Sequence, residues 1–291
     1  LMIVSVLINN YNYGRFLKEA IESVLHNSCK HDLEVIVYDD GSTDNSVDVL
    51  QSFGDKIKFI SNNNFGKAPS LNQSNAIEES FKISTGEFVF LLDSDDVFLE
   101  NKINEVVERF TNNKNIVCVQ HTFQLIDARS KSLVLRKRPI LSGVNIIDAI
   151  MYSGRLDFFF TQTSGLAFTR GALAQMLPFE NDGLLKLWPD LRLTRKALFL
   201  GEICTIQSDL GKYRIHNLND SNKLKDREYL NEFMKEHLMF FNKLNVQFKG
   251  EQFKKKSKIN SLLRIFILLV TSKMSLKEQL SFFKVLILKR H

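Results

Sequence analysis

Proline, cysteine and long apolar runs are all scarce in this sequence, and each scarcity excludes a class of protein. Four prolines leave no Pro-rich linker, while 24 phenylalanines and a 44% hydrophobic content point to a packed interior. With 25% charged residues the chain has the balance of a globular protein and not of a disordered or collagen-like one. Cys29, Cys118 and Cys204 are odd in number and widely spaced, which excludes a disulfide framework and a CxxC zinc cluster and predicts a reducing compartment. The longest apolar run, residues 262–270, is interrupted by Arg264 and falls short of the ~18 residues of a spanning helix. No basic, cleavable leader precedes the first β-like stretch, so a cytoplasmic location is expected.

The net charge of +6 is unevenly placed. Residues 221–291 hold 16 Lys+Arg against 6 Asp+Glu, a net of +10, which leaves −4 for residues 1–220. A basic tail fits an anionic partner, a membrane surface or nucleic acid, or else a solvated helix face. No nucleic-acid module is recognisable in it, so no nucleic-acid partner is expected.

At 291 residues the chain predicts one main domain with an appendage. Residues 3–9 form a β-branched apolar run, and residues 15–26 then place Phe16, Leu17, Ala20, Ile21, Val24 and Leu25 at helical spacing. The alternation continues with strands over 33–38, 57–61 and 87–92, and helices over 42–53, capped by Ser42 or Thr43, and 69–83. It predicts an α/β fold with a mostly parallel sheet covered on both faces. Less regular elements follow: strands over 116–126 and 166–169, helices over 98–110, 144–151 and 189–200, and helix from about residue 223.

Polar clusters at 9–12, 39–40, 62–64 and 93–96 each follow a predicted strand. Such strand ends share one edge of an open parallel sheet, where ligands bind. Asp93-Ser94-Asp95-Asp96 concentrates repulsion that a divalent cation such as Mg²⁺ or Mn²⁺ offsets, with positions left for water and phosphate; the alternative is a helix cap by Asp96. Asp39-Asp40 suits a base N–H or a ribose hydroxyl, or again a capped turn. The turn after the first strand is Asn9-Asn10-Tyr11-Asn12-Tyr13-Gly14, not GxGxxG, and Walker lysine, GxSxG and HExxH motifs are absent.

The segments at 4–12 (VSVLINNYN), 34–44 (EVIVYDDGSTD) and 86–96 (GEFVFLLDSDD) together resemble the hallmarks of family 2 glycosyltransferases with the GT-A fold, over roughly residues 3–217. The resemblance implies a Rossmann-like catalytic domain at 1–220, and the charge division with the helical pattern leaves a basic helical extension at 221–291. It also implies a nucleotide-sugar donor, most simply a UDP-sugar, a metal held by the DxD-type motif, and inversion at the anomeric carbon. By position, Asn9 and Tyr11 would line the base pocket, Asp40 would contact the base with Asp39 nearby, and Asp93, beside Ser94, would face the ribose or donor sugar. Asp95 and Asp96 would form the metal side. Residues 64–72 resemble a Gly-Lys-x-x-x-Leu-Asn variant, where Lys67 would approach base or phosphates unless it is a solvated loop lysine. Asn at both positions 9 and 10 departs from the usual small hydroxyl residue. Trp188-Pro189-Asp190-Leu191-Arg192 resembles the segment carrying the general base, Asp190, with Pro where Glu is usual; an acid in a first helical turn is also favoured by the helix dipole alone. Tyr213-Arg214-Ile215-His216-Asn217 resembles a Tyr-Arg-x-His segment, with Arg214 near the diphosphate and His216 a metal or phosphate contact or a structural histidine.

The reading is a metal-dependent inverting glycosyltransferase acting on a hydroxyl of a glycan or lipid-linked acceptor in cell-surface polysaccharide synthesis. A sugar-nucleotide pyrophosphorylase would need a glycine-rich loop that residues 10–14 lack. A non-catalytic nucleotide-sugar or glycan-binding protein would have no need of Asp190. In the tail, Lys254, Lys255, Lys256 and Lys258 precede apolar positions 262–270, and Leu276, Leu280, Phe283 and Ile287 lie among lysines at helical spacing. The first of these faces is expected to pack on the domain or on a second subunit, and the last helix to lie on an anionic membrane surface.

Overall fold

The computed structural model describes residues 2–134, 140–153, 159–249, 264–268, 270, 276, 279 and 280. Strand β1 (Ile3–Asn10) is central, lying parallel to β2 (Asp32–Asp39) on one side and β4 (Phe88–Asp93) on the other. Its apolar run is continuous because both faces are covered: Val4, Val6 and Ile8 enter one core layer and Leu7 the other. In β4, Phe90 and Leu92 enter the first layer and Val89 and Leu91 the second. The register sets Asn9 between Tyr38 and Asp93, and Asn10 beside Asp39, so the polar residues that end these strands meet at one edge.

The first layer is closed by α1 (Gly14–Leu25), through Leu17, Ile21 and Val24, and by α4 (Lys102–Asn112), through Ile103, Val106 and Phe110. The second is closed by α3 (Pro69–Ile83), α6 (Arg170–Met176) and α7 (Pro189–Ala197), through Ile77, Leu173, Met176 and Leu193. Proline at the first position of α3 and of α7 suits a turn whose N–H groups lack intrahelical acceptors. With β3 (Lys58–Ser61), β5 (Val97–Phe98), β6 (Ile116–Asp127), β7 (Leu166–Thr169) and β8 (Glu202–Ile215), the sheet runs β3-β2-β1-β4-β7-β6-β8-β5. Strand β7 is antiparallel to β4 and β6, while β6 and β8 are parallel.

Several expectations are corrected. The helix expected from residue 42 is α2 (Ser46–Ser52). Ser42 is no cap: its hydroxyl and N–H both donate to Asp39, and Asp44 instead receives the Ser46 N–H. The helix expected from 98 begins at Lys102, so Asp96 caps nothing and accepts the Arg214 N–H at 2.9 Å. The 14-residue strand β8 was not foreseen, because Lys212, Tyr213 and Arg214 interrupt its apolar pattern.

After β8 comes a short 3-10 segment, Asp220–Lys225, and then α8 (Arg227–Lys249). Phe240 and Leu244 of α8 bury against Leu187, and Phe241 joins Leu141, Ile146 and Ile150 of the segment around α5 (Ile146–Ser153). Ile265 is buried in that cluster too, whereas Phe266, Ile267 and Val270 are exposed. The lysines at 254–258 and the positions Leu262, Leu263, Leu269, Phe283 and Ile287 lie outside the described residues.

Candidate active site

A cavity of about 1070 Å³ opens where the ends of β1, β2 and β4 face α7 and α8. At one end lies Asp40. Its Oδ1 accepts the Phe65 N–H and its Oδ2 the side-chain amides of Asn64 and Asn72, each at 2.9 Å. Burial nevertheless holds its carboxyl above the usual range. The loop that supplies these donors closes on Gly41, at φ +73°, where a Cβ would stand 2.4 Å from the Asn64 nitrogen; only glycine is unstrained there. Tyr11, half exposed, and Lys67 line the same end, with the Lys67 ammonium 5.2 Å from the Phe65 ring centre. Asp39 is fully buried and does not line the cavity. It receives Asn10, Ser42 and Ser61 and so anchors the turn that carries Asp40.

At the centre, Asp93 Oδ1 accepts Asn9 Nδ2 at 2.9 Å and Gln73 Nε2 at 2.6 Å, and its N–H donates to Ser164 Oγ. Asn9 therefore orients Asp93 from within the cavity wall. Burial, then the neighbouring Asp95, push the Asp93 carboxyl up to about 7. Asp95 Oδ2 accepts His216 Nε2 at 2.9 Å and Asn219 Nδ2 at 3.3 Å, and the residue lines the cavity. Between them Ser94 also lines the cavity, with a buried hydroxyl that has no hydrogen-bond partner. Asp96 lies behind them, outside the cavity wall, with its Oδ2 buried and unpartnered. Burial and the charges of Asp95 and Asp93 hold its carboxyl well above the usual range.

The Tyr-Arg-x-His segment is placed otherwise than expected. Arg214 is only 1% exposed and does not reach the cavity. Its Nε donates to the Asp95 carbonyl, one terminal nitrogen to the Asp127 carbonyl and Ser130, and the other to Glu19 at 2.6 Å. With its donors spent inside the protein, Arg214 is a strut for the Asp95 backbone and not a diphosphate contact. His216 is engaged at both nitrogens, Nδ1 by the Leu218 N–H and Nε2 by Asp95. This bond orients the Asp95 carboxylate.

Asp190 also lines the cavity, in the first turn of α7, its Oδ1 accepting the Leu191 N–H at 2.8 Å, and its charge is felt by Asp93. Burial raises its carboxyl to about 6, while the Arg195 guanidinium one turn along pulls it down. Arg195 also lines the cavity, its Nε donating to His237 Nε2 of α8 at 2.9 Å and its guanidinium lying 3.9 Å from the centre of the Phe160 ring.

Sequence reasoning missed Gln73, Tyr13, Asn219, Arg195 and the cavity face of α8. Gln73 follows the Leu-Asn of the recognised loop by one position, which is a usable signal. The others depend on packing between distant segments, as when Tyr13 donates to the Leu218 carbonyl and stands edge-on to His216. Lys102 was read only as helix, yet it is fully buried and its ammonium donates to the Ser164 carbonyl, beneath the Asp93 support.

The donor set suits a hard divalent cation. Two neighbouring carboxylates, Asp93 and Asp95, border the cavity, the charge of Asp95 adding to burial in raising Asp93, and among the described residues Asp95 Oδ1 accepts no hydrogen bond. Among the described residues no group of three or more His, Cys, Asp or Glu is arranged around one point. Few protein ligands, with the rest left to phosphate and water, is the usual habit of Mg²⁺ sites.

Residues 5–169 match the family model for glycosyl transferase family 2. An uncharacterised glycosyltransferase of Nostoc sp. is 37% identical over 225 residues, covering 75% of this chain and 66% of the relative. The minor teichoic acid biosynthesis protein GgaA of Bacillus subtilis is 26% identical over 240 residues, covering 78% of this chain and 50% of the relative. The chain thus spans from half to about two thirds of these relatives' lengths. Among solved structures, Staphylococcus aureus TarS with UDP aligns at TM-score 0.57 and 17% identity, over 96% of this chain and 77% of that one. The Pyrobaculum calidifontis mannosyltransferase with GDP-Man and Mn²⁺ aligns at 0.56 and 14%, over 97% and 74%. The fold is that of the GT-A glycosyltransferases. By its sequence match and its fold, the chain belongs to glycosyl transferase family 2.

Proposed function

We propose that the chain transfers a sugar from a nucleoside-diphosphate donor to an acceptor hydroxyl in a single inverting displacement, within the synthesis of a cell-surface glycan. The observation that carries this reading is the meeting of Asp40, Asp93, Asp95 and Asp190 in one cavity. UDP in the TarS structure favours a uridine donor, and the teichoic acid relative favours a surface polymer.

Asp40 accepts an N–H of the base, with Tyr11 against the ring and Lys67 toward the phosphates. Asn9 and Gln73 hold Asp93 toward the ribose or donor sugar. Asp95 holds the divalent metal, Mn²⁺ or Mg²⁺, with Asp96 as its support from behind and His216 and Asn219 fixing its carboxylate. When bound, that ion supplies Lewis-acid neutralisation of the departing diphosphate. Asp190 takes the proton from the acceptor hydroxyl as the new bond to the anomeric carbon forms and the bond to phosphate breaks. A carboxyl at about 6 is ionised at neutral pH yet more basic than an ordinary aspartate, which suits a general base.

The division into a catalytic domain at 1–220 and a basic extension at 221–291 belongs to the same reading. Supported by its net charge of +10 and by the exposed Leu276 and Leu280, the end of the extension lies on an anionic membrane surface. No described helix is long and apolar enough to cross a membrane. The central test is release of nucleoside diphosphate from a panel of sugar nucleotides with Mn²⁺. Turnover with one donor supports the enzyme; nucleotide binding without release from any donor marks a binding protein instead.

A further inference from the structure

Asp190 is not supported by its own helix alone. Its backbone carbonyl accepts the Thr194 hydroxyl at 2.6 Å, and that hydroxyl in turn accepts Arg195 Nη1 at 2.7 Å. Arg195 Nε donates to His237 Nε2 at 2.9 Å. Thr194, Arg195 and His237 are all buried. A chain of hydrogen bonds therefore runs from α8 to the residue read as the base, through a guanidinium that lies over the Phe160 ring.

The direction of the outermost bond is fixed by chemistry. An arginine side chain only donates, so His237 must present a lone pair at Nε2 and carry its proton on Nδ1. Burial, then the charge of Arg195, hold the His237 imidazole well below its usual range, which keeps it in that accepting form. A neutral acceptor fixes the guanidinium without cancelling its charge, as a carboxylate in the same place would. Asp190 is faced by charge from two elements: Arg195 on α7 favours its carboxylate, and Asp93 at the end of β4 opposes it. His237, from α8, stands behind Arg195.

Helix α8 is itself fastened at this level. Glu236, the residue before His237, accepts the Lys186 N–H at 2.7 Å, and Glu232 one turn earlier pairs with the Lys186 ammonium. One turn beyond His237, Phe240 and Phe241 are buried in the adjoining clusters. The helix is thus tied on one side of His237 to the segment that leads into α7, and on the other to the core. Side chains locked by packing in this way hold a reacting group in its productive geometry.

We propose that His237 is a positioning residue for the general base: it holds the Arg195 guanidinium in the place from which that charge acts on Asp190, so that the reaction centre includes α8 and extends beyond residue 220. The inference rests on the glycosyltransferase reading, which makes Asp190 the base.

Full-length protein labelled with ¹³C at the aspartate carboxyl carbons is titrated by NMR, the Asp190 signal being identified by its loss in Asp190→Asn. Arg195→Met is expected to raise the Asp190 midpoint, because an opposite charge beside a carboxylate favours its ionised form. His237→Leu is expected to raise it at least half as much, and H237L added to R195M to raise it no further. His237→Gln, whose side-chain oxygen reaches the place of Nε2, should leave it near its original value. A midpoint unmoved or lowered in His237→Leu, an equal rise in His237→Gln, or a further rise on top of R195M overturns the proposal. Thermal unfolding checks that each variant folds; if His237→Leu does not, His237→Asn, whose shorter amide falls short of Arg195, takes its place. The rising limb of UDP release from the donor should follow the same order, with UDP affinity by calorimetry unchanged. No release from any sugar nucleotide by the unaltered protein brings down the glycosyltransferase reading and this inference with it, whereas release with an unmoved Asp190 midpoint in His237→Leu brings down this inference alone.

Discussion

The two halves of the cavity are built on opposite plans. In the strand-end half nearly every polar side chain is already held by another: Asn9 and Gln73 hold Asp93, His216 and Asn219 hold Asp95, and Asn64 and Asn72 hold Asp40. In the α7–α8 half apolar Leu191, Leu230, Phe233, Met234 and Leu238 lie among polar Asp190, Arg195, Tyr229, Asn231 and His237, with Arg195 donating to His237. The first half is preorganised for a ligand of fixed shape and charge, which limits reorganisation on binding. The second mixes apolar area with polar groups carried on two helices. On the proposed function, the donor belongs to the strand ends and the acceptor to the side that carries Asp190.

The sharpest way to break this comparison is to change Asp190, which stands on the border. Asp190→Asn is expected to lower turnover by roughly 10²–10⁴ while leaving nucleoside diphosphate affinity nearly intact, as loss of a general base does. Steady-state rates and calorimetry on the same preparation check it. Equal loss of both would make Asp190 a cap for α7.

Next in size is the metal side. Asp95→Ala is expected to abolish metal-dependent nucleoside diphosphate binding, with Asp96→Ala weakening it by removing support. His216→Ala is expected to cost about 10- to 100-fold in metal-dependent affinity, the usual effect of losing a partner that orients a ligand. Titrations with and without EDTA read all three. Undiminished binding in both aspartate variants would remove the metal from this site.

A pH profile separates the halves in another way. With donor saturating, turnover is expected to rise with pH through about 6 and then level, because only the ionised Asp190 accepts a proton. Arg195 favours that ionised form, so Arg195→Met should move the rising limb to higher pH. A limb that does not move would mean that Arg195 leaves Asp190 unaffected.

These expectations also show what the sequence makes legible. Strands β1, β2 and β4 announce themselves because a doubly covered parallel strand must be apolar throughout and must end where its polar residues begin. The same rule brought residues 9, 40, 93 and 95 to one edge before any contact was known. Arg214 was legible as an arginine but not as a strut, since its partners Glu19 and Asp127 are far away in sequence. Strand β8 was hidden for a related reason: its edge-facing polar residues serve the acid cluster and break the pattern that would reveal a strand. The face of α8 toward the cavity looks in sequence like part of any amphipathic helix, and only packing separates lining from core.

The smallest expected effect concerns the chain beyond α8, where the contrast between a polar and an apolar surface recurs outside the cavity. Ile265 is buried in the cluster around α5, so this part of the tail is attached to the domain, whereas Leu276 and Leu280 are 72% and 52% exposed. Residues 272–291 carry five Lys+Arg against a single acid. Each basic residue near an anionic leaflet is worth on the order of 1 kcal/mol, and the attraction is screened over a Debye length of about 10 Å at 0.1 M salt. Full-length protein should therefore co-sediment with anionic vesicles at low salt, less so at high salt, and at least tenfold more tightly than a version ending near Thr271. Neutral vesicles should retain neither. Equal binding by the two lengths would move the charge contact to the lysines before residue 271, and no binding to anionic vesicles would leave the tail as a surface for protein contact alone.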